Sequence, residues 1–345
     1  MMSRDPEAAV DLGPEATGGP YFEDLEVGMT VDSAPALTIT AGHGALHQAI
    51  IGDRLLLALD ASLSARVLGT STALAHPALV CDIAIGQSTL ITQRVIANLF
   101  YRGLVLRRSP VVGDTLSTTT EVVALRQNRK RADRAATGLA ALRIRTSDQM
   151  GRRVLDFWRC AMLPLSDPQV ETGHCDDLDA IPAELDLEVL EAAVADWDLD
   201  EFRAAVQPPH GSALESGMQW HVEGGDVVSA APELARLSLN VAIAHHDATA
   251  GADRRRLVYG GHTIGIAAAQ ATRALPNLVS VIAWEGCDHL EPVFEGDTLF
   301  SDLELSRIDE LPGTGYLLHL RSLVRAVRDG ESFDVLDWRF VAVAA

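Results

Sequence analysis

The 345-residue chain contains an internal duplication, and this feature constrains its fold more than any other. The segments PVVGDTL and PVFEGDTL start at Pro110 and Pro292, 182 positions apart (292 minus 110). The tripeptide Val-Leu-Asp recurs 181 positions apart (335 minus 154). Asp53 and Asn240, each seven residues before an aspartate, are 187 apart (240 minus 53). Landmarks that recur in the same order at a nearly constant offset indicate two copies of one structural unit.

The duplication divides the chain into two halves, residues 21–165 and 201–345. Residues 1–20 are rich in glycine, proline, alanine and acids without a hydrophobic period, which predicts a mobile tail. Residues 166–200 are acidic and contain several prolines, which predicts a linker with a helix near its end. The chain is therefore expected to hold two similar units joined by this linker.

Each half places helices first and a sheet after them. The segment HPALVCDIAIGQSTLI, residues 76–91, is apolar on nearly all sides and has the length of a helix buried inside a domain. The segments that follow alternate in polarity or are rich in β-branched residues, which predicts one long antiparallel sheet. A buried helix wrapped by such a sheet is a hotdog fold. The chain is therefore predicted to be an α+β tandem, or double, hotdog.

The amino-acid composition argues against several kinds of binding partner. The formal net charge of −20 disfavours nucleic acid, because binding to phosphate backbones requires clustered cations. No stretch reaches roughly 18 uncharged apolar residues, and no secretory signal pattern stands at the start, so we expect a cytoplasmic protein without a membrane partner. The cysteines form no CxxC pair, which predicts buried free thiols and no metal site. They are Cys81, Cys160, Cys175 and Cys287.

Arginines are bunched in two places despite the acidic background. One cluster is RQNRKRADR, from Arg126 to Arg134, and the other is Arg254, Arg255 and Arg256. Guanidinium groups bind phosphates and carboxylates through paired hydrogen bonds, so either cluster could hold a small anionic ligand. The first cluster is equally compatible with solvated arginines at a strand edge.

The order of strand, polar loop, apolar helix and PVxxGDTL strand resembles the MaoC-type acyl-CoA hydratases and dehydratases over nearly all of the chain beyond the tail. The GDR of the first half and the N-x-A-x-x-H-x-D of the second resemble more narrowly the mesaconyl-CoA hydratases, also called methylmalyl-CoA dehydratases. This resemblance implies reversible hydration of a short, branched or dicarboxylic enoyl-CoA. It implies an acyl-CoA substrate, with Arg254, Arg255 and Arg256 as candidates to bind the CoA phosphates or a substrate carboxylate. It implies no separate cofactor, and it leaves homo-oligomer formation open.

The family's catalytic loop pattern falls on the first half with two departures. Asp53 occupies the aspartate position, but Ala58 occupies the histidine position, and the helix begins His76-Pro77 where the family has His-Gly. Proline has no amide hydrogen, so this turn cannot donate to an oxyanion. The first half is therefore expected to be catalytically degenerate and to form the substrate or CoA cleft, with Asp53 in a structural or substrate-positioning role, while the second half is expected to be the catalytic one.

The second half retains more of the pattern. His245 occupies the histidine position, Asn240 replaces the aspartate, and Tyr259-Gly260 stands at the helix start. The resemblance makes His245 the general acid/base, since an imidazole suits proton transfer near neutral pH. The oxygen of Asn240 could accept a hydrogen bond from the reacting water. The amide of Gly260, with that of Gly261, would receive the enolate oxygen at the positive end of the helix.

Other interpretations remain open. His245 could be a structural histidine, and Asp247 is better explained as a cap than as a catalytic acid. His289 lies near the expected cleft on a strand, with no matching family role. A hotdog thioesterase would need a carboxylate on a buried helix, and Asp82 is the only acid in the first such helix. A non-catalytic acyl-CoA-binding protein is favoured if Asn240 has disabled the site.

Overall fold

The structure, a computed structural model, describes residues 18–131, 134–206, 214–250, 254–312 and 315–345. Within the predicted mobile tail, residues 1–17 lie outside the described residues. The helices of the first half are α1 (Ala41–Ile51), α2 (Leu56–Leu59), α3 (Ala61–Leu68) and α4 (Pro77–Gln87). Its strands are β1 (Thr30–Val31), β2 (Leu37–Thr38), β3 (Ala97–Leu106), β4 (Thr115–Gln127), β5 (Thr137–Ser147) and β6 (Arg153–Pro164).

The segment predicted as a linker contains a 3-10 turn at Leu178–Ala180 and the helix α5 (Leu187–Val194), with α6 (Leu199–Ala205) at its end. The second half repeats the order of the first. Its first elements are β7 (Gln219–His221), β8 (Asp226–Val227), α7 (Ala231–Leu237) and α8 (Gly260–Ala274). Four long strands complete it, β9 (Leu278–His289), β10 (Thr298–Glu310), β11 (Tyr316–Arg328) and β12 (Glu331–Ala344).

Within the described residues the strands form one continuous twelve-stranded antiparallel sheet. Its order is β1-β4-β5-β6-β3-β9-β12-β11-β10-β7, with β2 paired to β4 and β8 paired to β10. The two halves join where β3 pairs with β9, Leu104 opposite Trp284 and Val105 opposite Ala283. The sheet of each half therefore continues into the other, as expected for a double hotdog.

The sheet surrounds two central helices, α4 and α8. In α4 every residue except Ala78 is buried, and α8 is buried from Gly261 to Thr272. A helix that is apolar on all sides can be stable in water only when it is enclosed, which explains why these two segments lack a polar face. Among the described residues, no helix combines the length and apolarity required to cross a membrane.

The duplication is visible in individual hydrogen bonds. The carboxylate of Asp114 accepts a hydrogen bond from the backbone N–H three residues before it at 3.0 Å, and that of Asp297 does the same at 2.9 Å. The glycine before each aspartate has a positive φ, 110° at Gly113 and 94° at Gly296. Because other residues rarely adopt this conformation, the repeated Gly-Asp-Thr-Leu forms the same turn in both halves.

The prediction of buried free thiols is correct for three cysteines and wrong for one. Cys81, Cys160 and Cys287 are buried within the sheet and its central helix, whereas Cys175 is exposed on the segment after β6. The sequence could not separate these cases because burial depends on packing between distant segments. No group of three or more histidine, cysteine or acidic side chains within the described part of the chain could hold a metal ion.

Candidate active site

A cavity of about 340 Å³ lies where the two halves meet. The first half contributes residues 95–98, which lead into β3, and the second contributes residues at the start of α8 and the end of β9. Most of the lining is apolar, and the few polar side chains include His245, Thr263 and His289. Cavities of this size and character are typical of small-molecule sites.

His245 lies in the loop between α7 and α8, where it ends a 3-10 turn that begins at Ile243. Its Nδ1 is 2.9 Å from the backbone oxygen of Leu257. A carbonyl oxygen can only accept, so Nδ1 carries the hydrogen and the neutral ring keeps its lone pair on Nε2. The hydrogen bond thus selects the tautomer in which Nε2 can act as a base.

Burial determines the charge of this imidazole. Removal from water lowers the pKa of His245 to about 4, and the Leu257 carbonyl, which favours the charged form, only partly opposes this effect. The ring is therefore neutral at pH 7. It can accept a proton during a reaction, and the carbonyl would then stabilise the imidazolium.

Asn240 forms hydrogen bonds within the loop that carries His245 and does not line the cavity. Its side-chain oxygen accepts a hydrogen bond from the N–H of Ala242 at 2.9 Å, and its backbone oxygen accepts one from Nε2 of His246 at 2.6 Å. The oxygen expected to hold a water is thus bonded to the loop backbone instead. Asp53 makes the equivalent bond two residues ahead in the first half, which supports the alignment of these two positions.

The repeated aspartates downstream are caps. Asp60 accepts hydrogen bonds from the first amides of α3, at Ser62 and Leu63. Asp247 accepts one from the N–H of Thr249 at 2.8 Å and another from its hydroxyl. The interpretation of Asp247 as a structural residue is confirmed.

The start of α8 forms one wall of the cavity through Gly260. No side chain of the described residues caps this helix, so the amide of Gly260 keeps its capacity to bind a ligand. Gly261 lies on the other side of the helix, where an added Cβ would overlap the carboxyl of Asp82 on α4. The structure therefore places Gly260, and not Gly261, at the cavity.

His289 is the polar cavity residue to which sequence reasoning assigned no role. A Cβ added to Gly260 would lie 2.5 Å from its Nε2, so the ring covers the start of α8. That nitrogen is buried without a hydrogen-bond partner among the described residues. Burial, and then the neighbouring His245, lower the pKa of His289 to about 4. The predicted order of elements did indicate this position. A strand that follows a buried helix runs back along it, so the end of that strand, where His289 lies, is expected near the helix start.

The three arginines expected to bind substrate, Arg254, Arg255 and Arg256, lie a few residues before α8 and do not line the cavity. Arg254 has a positive φ of 56°. The guanidinium of Arg255 lies 4.0 Å from the ring centre of Phe294, and that of Arg256 pairs with Glu295 at 2.6 Å. Two of the three side chains therefore contact the PVFEGDTL segment of their own half, just before β10.

The corresponding region of the first half is closed. Nε2 of His76 donates to Asp53 at 2.9 Å, and its Nδ1 accepts the N–H of Ala78 at 3.1 Å. Asp53 also accepts the hydroxyl of Thr272 on α8 at 2.9 Å, and is 2% exposed. The adjoining cavity measures about 20 Å³, room for about one water. Asp53 thus joins the two halves and lines this small cavity, away from His245.

Three buried histidines should make the fold sensitive to acid. Burial lowers the pKa of His245, His262 and His289 to about 4, below the ordinary value of 6.5. Between pH 6.5 and 4 the unfolded chain binds more protons than the folded chain, so the free energy of unfolding should fall as pH falls through this window. Urea titrations at pH 7, 5.5 and 4.5 should show a decreasing midpoint.

From pH 7 to 8 the histidines should have little remaining effect, because they become neutral in the unfolded chain as well; Asp82, whose pKa burial raises to about 8, should there lower the midpoint as pH rises. His289→Gln should flatten the slope between pH 6.5 and 4. A midpoint that stays constant down to pH 4.5 in the unsubstituted protein would contradict the assignment of these rings as buried and neutral.

Comparison with known proteins agrees with this geometry. β-Methylmalyl-CoA dehydratase from Chloroflexus aurantiacus is 30% identical over 341 residues, covering 94% of this chain and 92% of that protein. Mesaconyl-CoA hydratase from Cereibacter sphaeroides is 30% identical over 311 residues, covering 88% of each. A comparison with protein-family models finds no match.

Solved structures show the same architecture. A conserved hypothetical protein from Mycobacterium tuberculosis, described as essential for bacterial survival during infection and as a double hotdog, is 53% identical with a TM-score of 0.89. The superposition covers 95% of this chain and 99% of that one. A MaoC domain protein dehydratase from Chloroflexus aurantiacus is 26% identical with a TM-score of 0.81, covering 96% and 99%. The chain therefore belongs to the MaoC-like double-hotdog family of hydratases and dehydratases.

Proposed function

We propose that this protein reversibly hydrates a short-chain enoyl-CoA, with a branched or dicarboxylic acyl group of the mesaconyl-CoA and methylmalyl-CoA type. The observation that carries the proposal is the neutral imidazole of His245 in the same cavity as the uncapped start of α8. The similarity to a β-methylmalyl-CoA dehydratase and to a mesaconyl-CoA hydratase supports the choice of acyl group.

In the hydration direction, His245 acts as the general base. Its Nε2 takes a proton from a water whose oxygen forms the new bond to the β-carbon, and the electron pair of the double bond moves onto the thioester oxygen as an enolate. The Gly260 amide and the positive end of α8 stabilise that charge. The imidazolium then returns the proton to the α-carbon, and dehydration follows the same steps in reverse.

Two neighbouring residues assist His245 in different ways. We assign Asn240 a positioning role, because its oxygen fixes the loop that carries His245. We assign the orientation of the water to His289, whose unpartnered Nε2 lies beside Gly260. In this scheme an imidazole, and not a carboxylate, supplies the second hydrogen-bonding group of the site.

The thioesterase alternative fits the site less well. Burial raises the pKa of Asp82 to about 8, so this carboxyl is mostly protonated at pH 7 and cannot activate water as a base. It also lies against Gly261 and outside the lining of the His245 cavity. The non-catalytic alternative leaves unexplained why a neutral histidine, in the tautomer that can act as a base, lines the same cavity as the start of α8.

Incubation with crotonyl-CoA and with mesaconyl-CoA tests the proposal. We expect the absorbance of the enoyl thioester to fall without release of free thiol, and to fall faster with mesaconyl-CoA. Release of thiol would identify a thioesterase. No change with either substrate, in a preparation that binds CoA thioesters, would favour the non-catalytic alternative.

A further inference from the structure

A second cavity, of about 580 Å³, adjoins the candidate active site at the connection between β4 and β5. Three arginines of the first cluster, Arg129, Arg131 and Arg134, contribute to its lining. Ile96 lines both this cavity and the His245 cavity. A ligand could therefore occupy both cavities by passing this one residue.

The sheet register explains why the two cavities are neighbours. The N–H of Ile96 donates to the backbone oxygen of Met162 at 2.9 Å, and Met162 on β6 stands opposite Leu139 on β5. The path from Ile96 to the β4–β5 connection thus crosses two strand spacings, roughly 10 Å. The pantetheine arm of CoA is longer than this separation.

The charge at this connection opposes that of the whole chain. Residues 126–134 contain five cationic residues and one acid in a chain of net charge −20. Lys130 is paired with Glu171 at 2.6 Å. Arg129 and Arg131 are exposed, and neither forms an ion pair with a described residue. Their guanidinium groups thus remain available to an anion at the mouth of the cavity.

We propose that Arg129 and Arg131 bind the nucleotide phosphates of the CoA thioester, with the pantetheine arm running past Ile96 to the His245 cavity. Guanidinium groups form paired, charge-assisted hydrogen bonds with phosphate oxygens. In this arrangement the first half holds the nucleotide and the second half holds the reacting carbons. The inference rests on the proposed function for the identity of the ligand.

The rival location is the second arginine cluster, which the sequence also allowed. Arg256 is held by Glu295 and Arg255 lies over Phe294, so a phosphate there would compete with existing contacts. No residue of that cluster lines either cavity. Arg129 and Arg131 differ from that cluster in two ways. Neither forms an ion pair with a described residue, and both line the cavity that adjoins the candidate active site.

The double variant Arg129→Ala/Arg131→Ala tests the inference in two measurements. Its KM for the CoA thioester should rise roughly tenfold or more with kcat unchanged, while its KM for the matching pantetheine thioester, which lacks the nucleotide, should not change. Calorimetric binding of adenosine 3′,5′-bisphosphate to the intact chain should weaken by a similar factor. Binding to the unsubstituted protein should also weaken as salt is raised.

The control Arg66→Ala/Arg236→Ala removes the same charge from exposed sites on α3 and α7 and should bind the bisphosphate normally. Normal binding by the Arg129/Arg131 variant would overturn the inference, as would loss of binding only in Arg254→Ala/Arg255→Ala. The proposed function is judged separately. If the bisphosphate binds and the double variant weakens it, but no enoyl-CoA is hydrated, the nucleotide site stands and the hydratase proposal fails.

Discussion

Replacing His245 with alanine is expected to lower kcat by roughly two orders of magnitude or more, with KM near its original value. The imidazole is the group proposed to accept the proton of water, and the one carboxylate that lines the cavity among the described residues, Glu291, is exposed on the segment after β9. Among the described residues the side chain of His245 makes one hydrogen bond, to Leu257, so its loss should change binding far less than turnover. Steady-state kinetics with the active enoyl-CoA gives both constants.

His221→Ala is the matched control, since this histidine is exposed on β7 and bonds Asp302 away from the cavity. It should retain kcat. His289→Ala should lower kcat by a smaller factor than His245→Ala, because it orients the water and does not move its proton. Each variant should keep its far-UV circular dichroism. If correctly folded His245→Ala retains kcat within a few-fold, the general base has been wrongly assigned.

Gly86→Ala is expected to damage both stability and turnover, although Gly86 lies in α4 of the first half. An added Cβ would overlap the carbonyl group of Ser238 and lie 3.1 Å from the backbone nitrogen of Asn240. These are backbone atoms, so the loop that carries Asn240 and His245 must shift. Overpacking of this kind costs about 1–3 kcal/mol. Displacement of a catalytic group by about 1 Å can reduce turnover about 100-fold.

Urea unfolding and steady-state kinetics measure the two effects of Gly86→Ala. The control is Gly44→Ala in α1, where an added Cβ meets no atom within 4 Å. Because alanine favours a helix over glycine, that control should equal or exceed the original stability by up to about 1 kcal/mol. An unchanged midpoint and kcat for Gly86→Ala would show that the loop does not depend on close contact with α4.

Local sequence patterns predicted the secondary structure of the site well. The helix start at Gly260 and the cap at Asp247 both depend on residues within a few positions of one another. Such interactions are encoded locally, so they can be inferred without knowledge of the fold. The absence of an amide at Pro77 is likewise a property of one residue.

The side chains that face the cavity could not be predicted in the same way. Asn240 belonged to the expected catalytic set, yet its oxygen bonds the loop backbone, while His289 reaches the cavity from the end of β9. Both outcomes depend on how α8, β9 and the preceding loop pack. Asn240 and His289 are more than 40 positions apart in the chain. The sequence pattern around one of them does not show how its side chain is directed relative to the segment that contains the other.

The sequence by itself determined that this protein is a duplicated α+β hotdog with one retained histidine loop, because repeats, periodicity and turn residues are properties of neighbouring positions. Only the tertiary structure decided which arginine cluster lines a cavity next to the candidate active site. It also decided that His245 and His289 line the active-site cavity together. Those relations arise where β3 pairs with β9 and where α4 packs against α8. They are contacts between halves more than 150 residues apart, and their geometry is set by packing of the whole sheet around its two helices.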